Sequence, residues 1–259
     1  MKAKTSLTIL LFTAAVLPCQ AGYRMGPKQL IQDYYKHLYE TYKPDFKFSE
    51  DRGIVAAGAV ACIFLAGHRD EFQGSELASP MIRKSIQRVR AAQLADGSFG
   101  KSKSDLDRVI PTAVAMLALT ATCNHDYSPL IKKAESWLKN LNDDRLDVSG
   151  RFLKLLALNK GNISARSAPS LLALLSDMKS DNTPDVQALT LFGSALIREF
   201  SETGGTLGKD KIGHLPQWGA LTDQATKSLS GFTANNNVAG ACIAVRILHS
   251  CMYAQKRKK

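Results

Sequence analysis

The chain has 259 residues, with 34 lysines and arginines against 23 acids and a net charge of +11. That length suffices for one domain with a sizeable core. No basic stretch interleaves with aromatic residues, so nucleic acid is not an expected partner, and no sustained alternation of polar and apolar residues with β-branched enrichment points to a β-sheet.

Lys2 and Lys4 precede an apolar run from Leu7 to Leu17 and the stretch Pro18-Cys19-Gln20-Ala21-Gly22. Residues 1–21 thus have the layout of a secretory signal peptide, with small side chains at Cys19 and Ala21 suiting cleavage before Gly22. The apolar run is shorter than the roughly 20 residues a membrane span needs, and Pro18 before Cys19 fits a lipoprotein signal poorly. The expectation is export to a periplasm or the exterior, with residues 22–259 as a single domain. Loss of the segment's two lysines lowers the net charge from +11 to +9. Such a surface favours anionic neighbours, and the tail Lys256-Arg257-Lys258-Lys259 makes an anionic envelope surface a candidate partner.

Residues 27–42 carry Leu30, Ile31, Tyr34, Tyr35, Leu38 and Tyr42 on one broad face, and residues 53–67 are rich in Ala and Gly. This reads as an amphipathic helix followed by an apolar one. In the next pair, Ile82, Ile86, Val89 and Leu94 form one apolar stripe on a cationic helix. Val109, Ile110 and residues 113–119 then leave almost no polar face, so that helix must be buried, with Pro111 placed in its first turn. The two apolar helices are in register: matching Asp51-Arg52-Gly53-Ile54 to Asp107-Arg108-Val109-Ile110 puts Ala57 on Ala113 and Ile63 on Leu119.

Three further pairs follow at 128–141 with 148–158, 168–178 with 184–200, and 217–229 with 237–254. Residues 203–213 form a Gly-rich loop, the best candidate for a long excursion or flap. The fold class expected is therefore all-α, with about five helical hairpins.

Between the second amphipathic helix and its apolar partner lies Gln93-Leu94-Ala95-Asp96-Gly97-Ser98-Phe99-Gly100. Gly97 is placed to take positive φ beyond the helix end, and Asp96 and Ser98 can bond to nearby backbone N–H groups. The order of outer helix, Gln-x-x-Asp-Gly-Ser-Phe corner and apolar helix over residues 81–122 resembles one repeat of the squalene/terpene cyclase and protein prenyltransferase superfamily. That resemblance implies an α/α toroid. It also implies that Gln93 ties the outer helix to a neighbouring helix end, that Asp96 bonds within the corner, and that Phe99 stacks as the family's aromatic residue. Five hairpins are one fewer than a six-hairpin toroid, so an open crescent is the alternative.

Candidate chemistry is sparse. Asp143-Asp144-Arg145-Leu146-Asp147 has the Asp-Asp-x-x-Asp spacing that holds Mg²⁺ and diphosphate in class I prenyl synthases. Here it falls in a short interhelical loop beside Arg145, where an N-cap cluster is the structural reading of Asp143, Asp144 and Asp147. Cys123-Asn124-His125-Asp126 brings zinc-ligand types together, with Cys123 and His125 the candidate ligands, although a plain loop has the same composition. Gly204-Gly205-Thr206-Leu207-Gly208-Lys209-Asp210 departs from a phosphate loop in spacing and lacks a preceding strand. His68, His214 and His249 are isolated. Cys62 and Cys242 fall mid-helix at similar depth, so closure of the hairpins into a ring would bring them together as a disulfide candidate.

These residues point to an exported, non-catalytic binding protein for an apolar or amphipathic ligand, or for a protein partner, in a depression formed by the apolar helices. No cofactor is expected. A small cyclase-like or prenyltransferase-like enzyme and an envelope-docked scaffold are the alternatives.

Overall fold

The structure is a computed structural model that describes residues 26–48, 53–66, 78–205, 207 and 212–257. The expected signal segment, residues 1–21, lies outside the described residues, as do His68 and residues 206 and 208–211 of the Gly-rich loop. Ten α-helices are present and no strand occurs among the described residues, so the chain is all-α. They are α1 (Pro27–Tyr42), α2 (Gly53–Ala66), α3 (Ala78–Ala91), α4 (Asp105–Ala121), α5 (Ser128–Lys139), α6 (Val148–Leu158), α7 (Ala168–Met178), α8 (Pro184–Glu202), α9 (Trp218–Ala234) and α10 (Val238–Arg257).

Local chemistry accounts for many of the helix starts. Proline stands in the first turn of α1, α5, α7 and α8, where its missing N–H costs nothing. The Asp147 side chain accepts from Gly150 N and so caps α6. Two boundaries differ from the sequence reading. α3 stops at Ala91, which leaves Leu94 outside the helix and 39% exposed instead of in the apolar stripe. α4 begins at Asp105, so Pro111 lies inside the helix and not in its first turn. Asp105 and Asp107 add two acidic residues where the helix dipole favours negative charge, extending the helix upstream of the apolar run.

The even-numbered helices pack on one another. α2 lies against α4, α4 against α6, α8 against α10, and α10 against α2. The odd-numbered helices cover the seams. α3 lies on α2 and α4, α5 on α4 and α6, α7 on α6 and α8, and α9 on α8 and α10. α1 docks on α10 and α9, at the other end of the chain. Its Tyr35 hydroxyl is 3.0 Å from Nε2 of the buried His249 on α10.

Small residues make this close approach possible. A Cβ on Gly58 of α2 would lie 2.7 Å from Val114 Cγ1 of α4. One on Gly193 of α8 would meet Leu175 Cδ2 of α7 at 2.5 Å and Phe152 Cε2 of α6 at 2.8 Å. Gly193 therefore seats α8 on both α6 and α7. Replacing Gly193 by valine is expected to lower the unfolding free energy by about 1–3 kcal/mol through overpacking, as read from a urea transition. An unchanged midpoint would mean that these three helices do not meet as described.

Candidate functional site

The corner after α3 is built from residues 93–99. Gly97 has φ of +93°, and a Cβ there would lie 2.7 Å from the Lys133 carbonyl oxygen, so the backbone of the corner lies directly on α5. Gln93 Nε2 donates to the carbonyls of Gly97 at 3.1 Å and Leu130 at 2.9 Å, joining the end of α3 to the first turn of α5. Asp96 Oδ1 accepts from Ser98 N at 3.0 Å and Ser98 Oγ at 2.6 Å, while its Oδ2 accepts from Arg108 at 2.7 Å. Phe99 is fully buried, and its N–H donates to Thr112 Oγ1 on α4. Arg108 also bonds Asp105 and covers the Trp137 ring. The Gln93 amide, the Asp96 carboxylate and the Ser98 hydroxyl of this corner are thus held by structural partners.

The acidic run is divided among separate tasks. Asp143 Oδ1 accepts from Lys154 Nζ at 2.6 Å, and the same ammonium donates to the Leu141 carbonyl at 2.7 Å. Asp147 caps α6, whereas Asp144 is exposed. Lys154 is 6% exposed, and the sequence reading missed it. The signal was a lysine inside Phe152-Leu153-Lys154-Leu155-Leu156, where a buried ammonium requires acceptors nearby. Cys123 and His125 occupy an exposed turn, with Cys123 at φ +53°. Among the described residues no three His, Cys, Asp or Glu side chains gather as a metal site. Gly208, Lys209 and Asp210 of the Gly-rich run lie outside the described residues, as does the side chain of Cys62. Its proposed partner Cys242 is buried on α10, which packs against the helix carrying Cys62. Tyr34 and Tyr35 face this region, and burial raises both phenol pKa values.

Two depressions are walled by α1. One is small and lies between Tyr34, Leu38 and Tyr42 and the α9–α10 corner at Phe232. The other is an open groove of about 490 Å³ between Tyr39, Lys43, Pro44, Phe46 and Pro80.

The apolar helices carry a further feature that hydrophobicity alone concealed. Each has partly buried apolar positions beside its fully buried ones: Val55 and Ala59 on α2, Ile110 and Leu117 on α4, Val148, Leu155 and Leu158 on α6, Phe192 on α8, and Ile243 on α10. On α6 their placement is explicit. Gly150 faces Val109 of α4 on one flank, and Phe152 faces Gly193 of α8 on the other. At about 100° per residue, Val148, Arg151, Leu155 and Leu158 fall on the arc between those flanks, opposite the buried Leu153 and Leu156. On α4, Ile110 and Leu117 lie roughly 150° around the helix from Thr112, which meets the corner. On α6 and α4 these positions therefore lie away from the contacts just named.

Burial pushes the Cys251 thiol up to about 11, whereas Cys123 is exposed. A thiol reagent at neutral pH is expected to modify Cys123 in the native protein and Cys251 only after unfolding, as read by peptide mass spectrometry; rapid native labelling of Cys251 would contradict the packing of α10 on α9. At the corner, the Ser98 hydroxyl and then the Ser98 N–H and Arg108 hold the Asp96 carboxyl below its ordinary value. A depressed carboxylate stabilises the fold above its unfolded pKa and loses that contribution as pH falls through the folded one. The stability difference between wild type and Asp96→Asn is therefore expected to shrink on acidification from about pH 5 to about pH 2. A difference independent of pH over that window would show that the Asp96 charge has no such role.

No protein-family model matches the chain, and no curated protein and no solved structure matches it.

Proposed function

We propose that the chain is an exported, non-catalytic, toroid-like protein that binds an apolar or amphipathic ligand in the depression framed by α2, α4, α6, α8 and α10. The observation that carries this reading is the set of partly buried apolar positions on these helices, which on α6 and α4 lie away from the packed flanks. A surface of Val, Ile, Leu and Phe side chains left open to a concavity is a site for apolar matter. The sequence of contacts from α2 through α4 and α6 to α8 and α10, and from α10 back to α2, supports a toroid-like arrangement. So does the resemblance of the residue 93–99 corner to the cyclase and prenyltransferase repeat. The structural use of Asp96, Asp143 and Asp147 supports a binding role over a catalytic one. Export rests on the signal-like layout of residues 1–21.

The test uses the mature chain and the neutral fluorophore N-phenyl-1-naphthylamine. Saturable enhancement of its emission is expected, reduced roughly tenfold or more in affinity by Leu155→Asp or Ile243→Asp, since a buried carboxylate opposes apolar binding. Circular dichroism would verify that each variant keeps its helices. Absence of saturable binding to the wild type would overturn the reading, as would equal binding by folded variants. In the first case a protein partner becomes the remaining occupant.

A further inference from the structure

Arg151 is the fourth residue of α6 and shares its stripe with Val148, Leu155 and Leu158. It differs from every other arginine that is at least partly buried among the described residues. Arg88 donates to the Asp45 carbonyl, and Arg108 bonds Asp96, Ser98 and Asp105. Arg198 donates to the Leu215 and Pro216 carbonyls. Arg246, also beside the apolar stripe on α10, bonds Ser250 Oγ at 2.8 Å and lies 3.8 Å from Glu199. Arg151 has no hydrogen bond or ion pair from its side chain; its Nε, like that of Arg108, is shielded from solvent without an acceptor, but Arg108 has its terminal nitrogens paired. Asp147, one turn earlier, is not paired with it; its Oδ1 accepts from Gly150 N at 2.6 Å as the helix cap. A guanidinium with a desolvated, unanswered donor is unfavourable unless an acceptor arrives from outside the chain.

Resting on the binding function proposed above, we infer that the ligand is a long-chain carboxylate whose head group is received by Arg151 while its tail lies along the apolar stripes. One guanidinium balances one negative charge and presents parallel N–H donors that match the two oxygens of a carboxylate. Leu155 and Leu158 continue the same stripe in the direction the tail would follow. Arg246 already faces Glu199, so the other arginine of this surface adds little charge for a multiply charged head.

The experiment titrates the mature protein with oleate, oleyl alcohol and oleyl phosphate below their aggregation limits, by displacement of N-phenyl-1-naphthylamine. Oleate is expected to bind roughly tenfold or more tightly than oleyl alcohol, because charge-assisted hydrogen bonds exceed neutral ones. Arg151→Gln is expected to abolish that preference while changing oleyl alcohol affinity less than about twofold. Arg151→Lys, which keeps the charge, is expected to retain part of the preference and serves where the glutamine variant fails to fold. Equal wild-type affinity for oleate and oleyl alcohol would overturn the inference and leave the apolar-binding function standing. So would an oleate preference unchanged in Arg151→Gln, or tighter Arg151-dependent binding of oleyl phosphate than of oleate. Failure of all three amphiphiles and of the fluorophore would instead remove the binding function itself.

Discussion

The structure depends on how closely its apolar helices approach one another. Gly58 against Val114, and Gly193 against Phe152 and Leu175, leave no room for a side chain at either glycine. Dispersion and the exclusion of water act at this spacing over long helical seams. Helices packed in this way present long apolar seams that further helices cover. α3, α5, α7 and α9 each do so across two neighbours, and α1 does so on the last helix of the chain. That long-range contact brings Tyr34 and Tyr35 to Cys242 and His249, residues more than 200 positions away.

A layer packed this tightly imposes strict conditions on polar groups near it. Lys154 and Arg198 lie buried within their helices and turn to backbone carbonyls, Lys154 to that of Leu141 just beyond α5 and Arg198 to those of Leu215 and Pro216 just before α9. Gln93 likewise donates to two backbone carbonyls at the junction of α3 and α5. The acidic run 143–147 supplies one counter-ion and one cap, which explains its position at the mouth of α6 without metal chemistry. Arg151 differs from the other partly buried arginines among the described residues in making no side-chain hydrogen bond or ion pair, and its Nε is shielded from solvent. A buried donor left unanswered is most economically explained by a molecule from outside the chain.

The α10 helix illustrates how composition and placement separate. Its length and hydropathy suffice to cross a membrane, yet 67% of its most apolar window is buried inside the protein. It is in contact with α1, α2, α8 and α9. The same residues that would suit a bilayer here fill the joint between the chain's first helices and its last.

Periodicity and punctuation in the sequence determined the all-α class, the alternation of amphipathic with apolar helices and most helix limits, because these depend on neighbours a few positions apart. The bounds of α1, α6 and α7 follow from Pro27, Asp147 and Pro169 with their adjoining stripes. The corner at residues 93–99 was legible for the same reason, since Asp96, Gly97 and Ser98 form a local turn. The start of α4 at Asp105 was not, because dipole-favoured acids extended the helix upstream of the hydrophobic run. Which side of an entirely apolar helix is covered and which is left open depends on several partners brought together across the chain. Only the tertiary structure could therefore separate the buried Leu153 from the half-open Leu155, pair Lys154 with Asp143, and leave Arg151 without an acceptor.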